Sequence, residues 1–73
     1  IPTELGQLGS LSLLSLWGNR LEGTFPTEIG NMTSLASLVL ASNFLTGTLP
    51  TELGYLTVLD YLSVEENKFT GIL

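Results

Sequence analysis

Apolar residues in this chain follow two alternating periods. The triplets at 14–16, 38–40 and 62–64 place an apolar side chain at every second position, the pattern of a short strand with one buried face. An asparagine follows each triplet and a glycine comes soon after it, so we expect the chain to turn there. After each proline, apolar residues three apart, such as Leu5 and Leu8, predict a short 3-10 turn, which proline can begin because no N–H is needed there.

This pattern repeats every 24 residues along the whole chain. The period is visible in Pro2, Pro26 and Pro50, and the asparagines keep the same spacing. We divide the chain into units 1–24, 25–48 and 49–72, which form one array without caps. A period of this length predicts a solenoid in which each unit buries its apolar face against its neighbours. Because the chain begins and ends inside the pattern, we expect further repeats of the same chain at both ends.

The repeated pattern closely resembles the plant-type leucine-rich repeat over essentially the whole chain. The first of three registered copies reads Leu11-x-x-Leu14-x-Leu16-x-x-Asn19-x-Leu21-x-Gly23-x-Phe25-Pro26-x-x-Ile29-Gly30. The resemblance implies an α/β solenoid, a right-handed superhelix with short parallel β-strands on the concave face and 3-10 turns on the convex face. It also implies that the asparagines form a buried ladder whose amides bond backbone groups in the turns.

Composition excludes several kinds of site. The chain has no cysteine and no histidine, which removes disulfides, catalytic thiols and the usual zinc ligands, and we expect neither metal nor cofactor. Its net charge of −5 repels phosphate groups, so nucleic acid and anionic membrane surfaces are not expected as partners. One glutamate per unit, at Glu4, Glu28 and Glu52, is assigned to the dipole of its 3-10 turn. The alternative, a calcium site, would need oxygens that converge on one point.

Catalysis has no evident residues. The serines have no histidine or cysteine to activate them, and Lys68 is the chain's only lysine. Glu65 and Glu66 are adjacent in an extended segment, so we expect their side chains to point to opposite faces and not to act as an acid–base pair. The sequence therefore predicts a chain that is not an enzyme.

The candidate ligand-binding residues are those whose side chains should point outward from the concave strands. Alternation along the strands selects Leu13, Ser15, Trp17 and Gly18 in the first unit, Ser37, Val39, Ala41 and Ser42 in the second, and Tyr61, Ser63, Glu65 and Glu66 in the third. Parallel strands lie about 4.8 Å apart, so equivalent residues form columns, one of which is Trp17, Ala41 and Glu65. An outward tryptophan is a common interface anchor. The alternative is that Trp17 merely covers Ala41 and contacts a neighbouring unit.

A second column, at the edge of the concave face, holds both cations of the chain. It consists of Arg20, Phe44 and Lys68, which places an aromatic ring between two positive charges. We hypothesise a cation–π stack, worth about 0.5–1 kcal/mol for each exposed pair. The alternative is coincidence at a variable, solvated position.

The sequon Asn31-Met32-Thr33 predicts N-glycosylation at Asn31 on the convex side. Together with the resemblance, it indicates an extracellular or cell-surface location. The resemblance also implies a module that binds a protein or peptide, as part of a cell-surface receptor or a secreted recognition protein. Two alternatives stay open: a structural spacer in a larger protein, and the regulatory ectodomain of a receptor-like kinase whose catalytic domain lies outside this chain.

Overall fold

The computed structural model describes residues 1–70 of the chain. Three 3-10 helices and six short strands follow one another in the order η1 (Thr3–Gln7), β1 (Leu13–Ser15), β2 (Glu22–Thr24), η2 (Thr27–Asn31), β3 (Ser37–Val39), β4 (Phe44–Gly47), η3 (Thr51–Tyr55), β5 (Tyr61–Ser63) and β6 (Lys68–Phe69). The last residues of the third unit, among them the expected turn glycine Gly71, lie outside the described range.

The first sheet is parallel and has the strand order β1-β3-β5. Leu14 pairs with Leu38, and Leu38 pairs with Leu62, so the register equals the 24-residue repeat. Each strand begins one residue earlier than its apolar triplet, and the ladder extends past its end, as in the 2.8 Å bond from the Leu16 N–H to the Val39 carbonyl. The predicted solenoid with one short strand per unit on the concave face is confirmed.

A second parallel sheet, β2-β4-β6, occupies residues that were expected to form only turns. Its register differs from the repeat, because Phe44 pairs with Glu22 and Lys68 pairs with Thr46, a step of 22 residues. The turn that separates the two strands of a unit contains a residue of positive φ: Gly18 (71°), Ser42 (62°) or Glu66 (58°). The sequence-based expectation of a turn was therefore too simple, since the turn is short and a second strand follows it.

The asparagine ladder joins the two sheets. Asn43 Nδ2 donates to the carbonyls of Leu40 (3.0 Å) in its own unit and Leu16 (2.9 Å) in the preceding one. Asn43 Oδ1 accepts the N–H of Leu21 at 3.1 Å, where the second strand of the preceding unit begins. Asn67 repeats these contacts one unit later, accepting the N–H of Leu45. The predicted structural role is confirmed for Asn43 and Asn67, but Asn19 is exposed and bonds only carbonyls of its own unit.

The 3-10 helices lie side by side, and each begins after a proline. In η1 the Leu5 N–H bonds the Pro2 carbonyl at 3.2 Å, as expected for a turn that proline can begin. A Cβ added to Gly6 would lie 2.7 Å from the carbonyl oxygen of Glu28, so only glycine allows η1 and η2 to approach this closely. Within residues 1–70, no helix is long and apolar enough to cross a membrane.

The core is concentrated in the middle unit. Six side chains there are fully buried, namely Ile29, Met32, Leu35, Leu38, Leu40 and Leu45. Residues from the outer units complete the core from both sides, including Leu14 and Leu56. The apolar face of the middle unit is therefore buried by the units on either side, as the solenoid prediction requires.

Candidate ligand-binding face

The concave face consists of the outward side chains of β1, β3 and β5 and of the residues just beyond their ends. The register arranges them in three rows across the sheet, which we call the first row (Leu13, Ser37, Tyr61), the middle row (Ser15, Val39, Ser63) and the third row (Trp17, Ala41, Glu65). The third row lies beyond the strands, but Gly18 N–H donates to the Ala41 carbonyl at 3.1 Å and Ser42 N–H donates to the Glu65 carbonyl at 3.0 Å. These bonds keep it in the register of the sheet.

Large side chains flank small ones in the first and third rows. Leu13 (56% exposed) and Tyr61 (55%) stand on either side of the half-buried Ser37. In the third row, Trp17 (64% exposed) and the exposed Glu65 stand on either side of Ala41. In the middle row the order is reversed, because Val39 is larger than Ser15 and Ser63. We call the line of Ser37, Val39 and Ala41 along the middle unit the central channel.

The floor of the central channel is formed by Ser37, Val39 and Ala41. Val39 is half-buried and is the largest of the three side chains. At about 3.3 Å per residue, the floor is about 13 Å long, and the outer strands lie about 9.6 Å apart.

Two residues predicted to face a ligand are buried. Ala41 is only 3% exposed, so it offers almost no surface to a ligand. Ser63 is 5% exposed, and its Oγ donates to Glu65 Oε1 at 2.7 Å. The prediction that Ala41 and Ser63 face a ligand is therefore wrong, whereas Ser15 is exposed as expected.

Hydrogen bonds favour the ionised form of the Glu65 carboxylate. The hydrogen bond from Ser63 lowers the pKa of Glu65, and the Glu65 backbone N–H acts in the same direction. Sequence reasoning missed this contact, although a serine two positions before a glutamate in an extended segment is a signal for it. The carboxylate is a preorganised anionic group at the wall of the central channel.

Glu66 does not follow the strand alternation assumed from the sequence. Its φ of 58° lies in the left-handed region, and its Oε2 accepts a 2.7 Å hydrogen bond from Ser42 Oγ. The expectation that Glu65 and Glu66 point to opposite faces assumed an extended backbone, which this residue lacks. The two carboxylates instead take hydrogen bonds from two different serines at the end of the first sheet.

The second predicted column is only half formed in the structure. Lys68 Nζ lies 5.7 Å from the centroid of the half-exposed Phe44 ring, within the range of a cation–π contact. Glu22 is the cross-strand partner of Phe44 in the second sheet, and within residues 1–70 Arg20 makes no cation–π contact with this ring. The three-residue stack predicted from the 24-residue repeat is therefore only half correct.

The helix side of the molecule carries the sequon. Asn31 is exposed at the end of η2, Met32 is fully buried and Thr33 is exposed. Within residues 1–70, no group of three acidic residues is placed to hold a metal ion.

A hollow of about 200 Å³ opens at the side of the third unit and includes Leu49, Val64 and Phe69 in its lining. The equivalent residues of the second unit, Phe25, Leu40 and Leu45, are buried by the third unit. The hollow is therefore part of a surface on which one unit stacks on another, and it meets the concave face at Glu65 and Glu66, which also line it.

Comparisons with known proteins agree with this architecture. The family profile described as leucine rich repeat matches residues 9–69. The plant peptide hormone receptor RGFR1, solved in complex with RGF2, is 41% identical with a TM-score of 0.95, over 97% of this chain and 11% of that one. The Arabidopsis thaliana receptor kinase ectodomain GASSHO1/SCHENGEN3, solved with CASPARIAN STRIP INTEGRITY FACTOR 2, is 40% identical with a TM-score of 0.92, over 94% of this chain and 8% of that one.

A plant ice-binding protein is also similar, at 35% identity and a TM-score of 0.94, over all of this chain and 24% of that one. Comparison with curated proteins gave no significant match. The chain thus spans only about a tenth of the two receptor chains and a quarter of the ice-binding protein. The family match and the parallel sheet with its asparagine ladder lead to one conclusion: the chain belongs to the leucine-rich-repeat family, in its plant type.

Proposed function

We propose that the concave face binds an extended segment of a protein or peptide ligand along the central channel. The supporting observation is the contrast between its walls and its floor. Leu13, Trp17 and Tyr61 are more than half exposed, whereas Ala41 is buried between them. Exposed aromatic side chains are typical of interface anchors. A group of exposed large apolar side chains on one face is typical of a binding surface.

Similarity to known structures is consistent with a protein or peptide ligand, but it is also consistent with a different kind of ligand. Two of the similar ectodomains were solved with a peptide hormone or another named factor, while a third similar protein binds ice. Proteins with this fold bind different kinds of ligand. It is therefore the shape of the concave face that favours a peptide. The exposed side chains of Leu13, Trp17 and Tyr61 stand on the two sides of the central channel, which favours a linear segment over a flat surface.

The cellular setting is part of the proposal. We place these units in the extracellular part of a cell-surface receptor or of a secreted recognition protein, with a glycan on Asn31. Asn31 is exposed on the helix side, so a glycan there would leave the concave face accessible. In this role the array is a non-catalytic binding module, and any catalytic activity would belong to another domain. Mass spectrometry of the protein from a secretory plant host, with Asn31→Gln as the control, tests for the glycan.

Binding is tested with a display library of random linear peptides selected on the 73-residue chain. Selected peptides are synthesised and measured by calorimetry against variants whose folding is checked by circular dichroism. Val39→Arg, on the channel floor, and Trp17→Ala, on its wall, should each weaken binding by about tenfold or more. Val58→Arg is the matched control, because Val58 is 52% exposed outside the concave face.

Equal binding by Val39→Arg and Val58→Arg would contradict the proposal. It would favour the spacer alternative, in which these three units only hold other parts of a protein apart. Loss of binding in Val58→Arg alone would move the binding site away from the first sheet.

A further inference from the structure

Tyr55 presents an open aromatic ring on the helix side of the molecule. It is the last residue of η3 and is 66% exposed, more than any other large hydrophobic residue within residues 1–70. A single exposed ring is ordinary on a protein surface, so its meaning depends on what lies beside it.

The Tyr55 ring lies against the end of η2. Gly30 is buried although it has no side chain, and a Cβ added to it would lie 3.0 Å from Tyr55 Cδ2. The same Cβ would lie 3.1 Å from the carbonyl oxygen of Glu52, so η3 packs closely on this glycine. The tyrosine ring therefore extends from the third unit onto the backbone of the second.

The residue that follows Gly30 is the asparagine of the sequon. Asn31 is the last residue of η2, and it is exposed. Because the Cα atoms of neighbouring residues are about 3.8 Å apart, Tyr55 Cδ2 lies within about 8 Å of the Asn31 Cα atom. An asparagine side chain and one sugar ring together span this distance. The first sugar of a glycan on Asn31 can therefore reach the tyrosine ring.

The first sugar of an N-linked glycan is suited to such a ring. N-acetylglucosamine carries no charge, and each face of its chair-shaped ring exposes axial C–H groups. The face of a tyrosine ring is electron-rich and attracts polarised C–H groups, and the contact removes apolar surface from water. The first unit has Gln7 at the position equivalent to Tyr55, so the repeat itself does not require an aromatic residue there.

We infer that Tyr55 is a stacking platform for the first N-acetylglucosamine of a glycan on Asn31. This inference rests on the proposed function, because it depends on the glycan that we place on Asn31. It names the residue that orients this glycan along the helix side. A sugar attached to η2 and stacked on a residue of η3 joins the second and third units, so it should stabilise their contact.

The test uses the 73-residue chain from a secretory plant host, with its glycan trimmed enzymatically to the first N-acetylglucosamine. Mass spectrometry first establishes that Asn31 carries this sugar. We then expect nuclear Overhauser effects between the Tyr55 ring protons and the C–H protons of the sugar. The ring current of Tyr55 should also shift these sugar protons upfield.

Three variants separate stacking from a general effect of the sugar. Tyr55→Gln introduces the residue of the first unit, Tyr55→Phe keeps an aromatic ring, and Tyr61→Gln removes a 55% exposed tyrosine from the concave face. Each variant is compared with its own unglycosylated form. The sugar should raise the melting temperature of the native chain, Tyr55→Phe and Tyr61→Gln by about 3 °C more than that of Tyr55→Gln.

An equal rise in melting temperature for the native chain and Tyr55→Gln would overturn the inference and leave the glycan in place. The absence of contacts between the ring and the sugar would do the same. An unmodified Asn31 would reject both the glycan and the inference. The peptide-binding face has a separate readout, because its test depends on Val39→Arg and the display-selected peptides.

Discussion

The middle unit and the outer units of this array have nearly the same sequence pattern but differ in burial. Leu38 is fully buried, whereas its equivalents Leu14 and Leu62 are 9% and 40% exposed. Asn43 bonds backbone groups of two units and is buried, whereas Asn19 is exposed and bonds only carbonyls of its own unit. The same residue type in the same repeat position therefore contributes differently according to its neighbours.

This difference shows that contacts between neighbouring units stabilise the array. A unit has one layer of strands and one 3-10 helix, so it cannot enclose a core alone. The stacked glycines show the same dependence, since Gly6 contacts the next helix while Gly54 has open space around it. Equivalent substitutions in different units should therefore have unequal effects in the 73-residue chain.

The largest difference is expected between Leu38→Ala and Leu62→Ala. Leu38→Ala should lower the free energy of unfolding by about 3–4 kcal/mol, because it leaves a cavity in a closed core. Leu62→Ala should cost about 1 kcal/mol, since that side chain is already partly exposed. Urea titration in buffer containing TMAO, which lengthens the folded baseline, measures both. Equal losses would show that the units do not depend on stacking in this way.

A smaller difference is expected for the ladder asparagines. Asn43→Ala leaves the Leu21 N–H without its partner, whereas the Leu16 and Leu40 carbonyls keep hydrogen bonds from Asn19 and Asn67, and it should cost about 2 kcal/mol. Asn19→Ala should cost less than about 1 kcal/mol, because water can replace its exposed bonds. Hydrogen exchange at Leu21 is the sharper readout, and unchanged protection there in Asn43→Ala would contradict the bridging role.

Gly6→Ala should lower the free energy of unfolding by about 1–2 kcal/mol more than Gly54→Ala does. Gly6→Ala places a Cβ against backbone of η2, which can move only by separating the two helices. Gly54→Ala meets nothing within 4 Å and serves as the control. Thermal unfolding of both variants, followed by circular dichroism, measures the difference. A lower melting temperature for Gly54→Ala than for Gly6→Ala would contradict the stacking argument.

The smallest effect concerns the pKa of Glu65. Because folding lowers this pKa, the stabilisation that it gives is present above the usual carboxyl range and is lost as the pH falls through the folded-state value. Ser63→Ala removes the main cause and should raise the pKa of Glu65 toward its ordinary value. A carboxyl carbon NMR titration measures the shift. Ser42→Ala, whose hydroxyl bonds Glu66, is the control and should leave the pKa of Glu65 unchanged.

Much of the fold follows from the period, and less of the candidate site does. Pro2, Leu14 and Asn19 with their equivalents indicated the 3-10 turn, the inward strand position and the ladder, because a fixed repeat puts like residues in like places. The same assumption failed for Arg20, which makes no cation–π contact with Phe44 within residues 1–70, although Lys68 does. A repeat predicts equivalence between units, but not which residues become cross-strand neighbours.

The sequence by itself determined the solenoid, the inward leucines and the outward position of Trp17, since each follows from alternation within a unit and repetition between units. Only the tertiary structure decided the step of 22 residues in the second sheet, the burial of Ser63 and the position of Lys68 over Phe44. These features depend on the left-handed turn between the two strands and on the amide bridge from each asparagine to the unit before it. Such contacts join residues of different units, and a pattern read within one unit does not contain them.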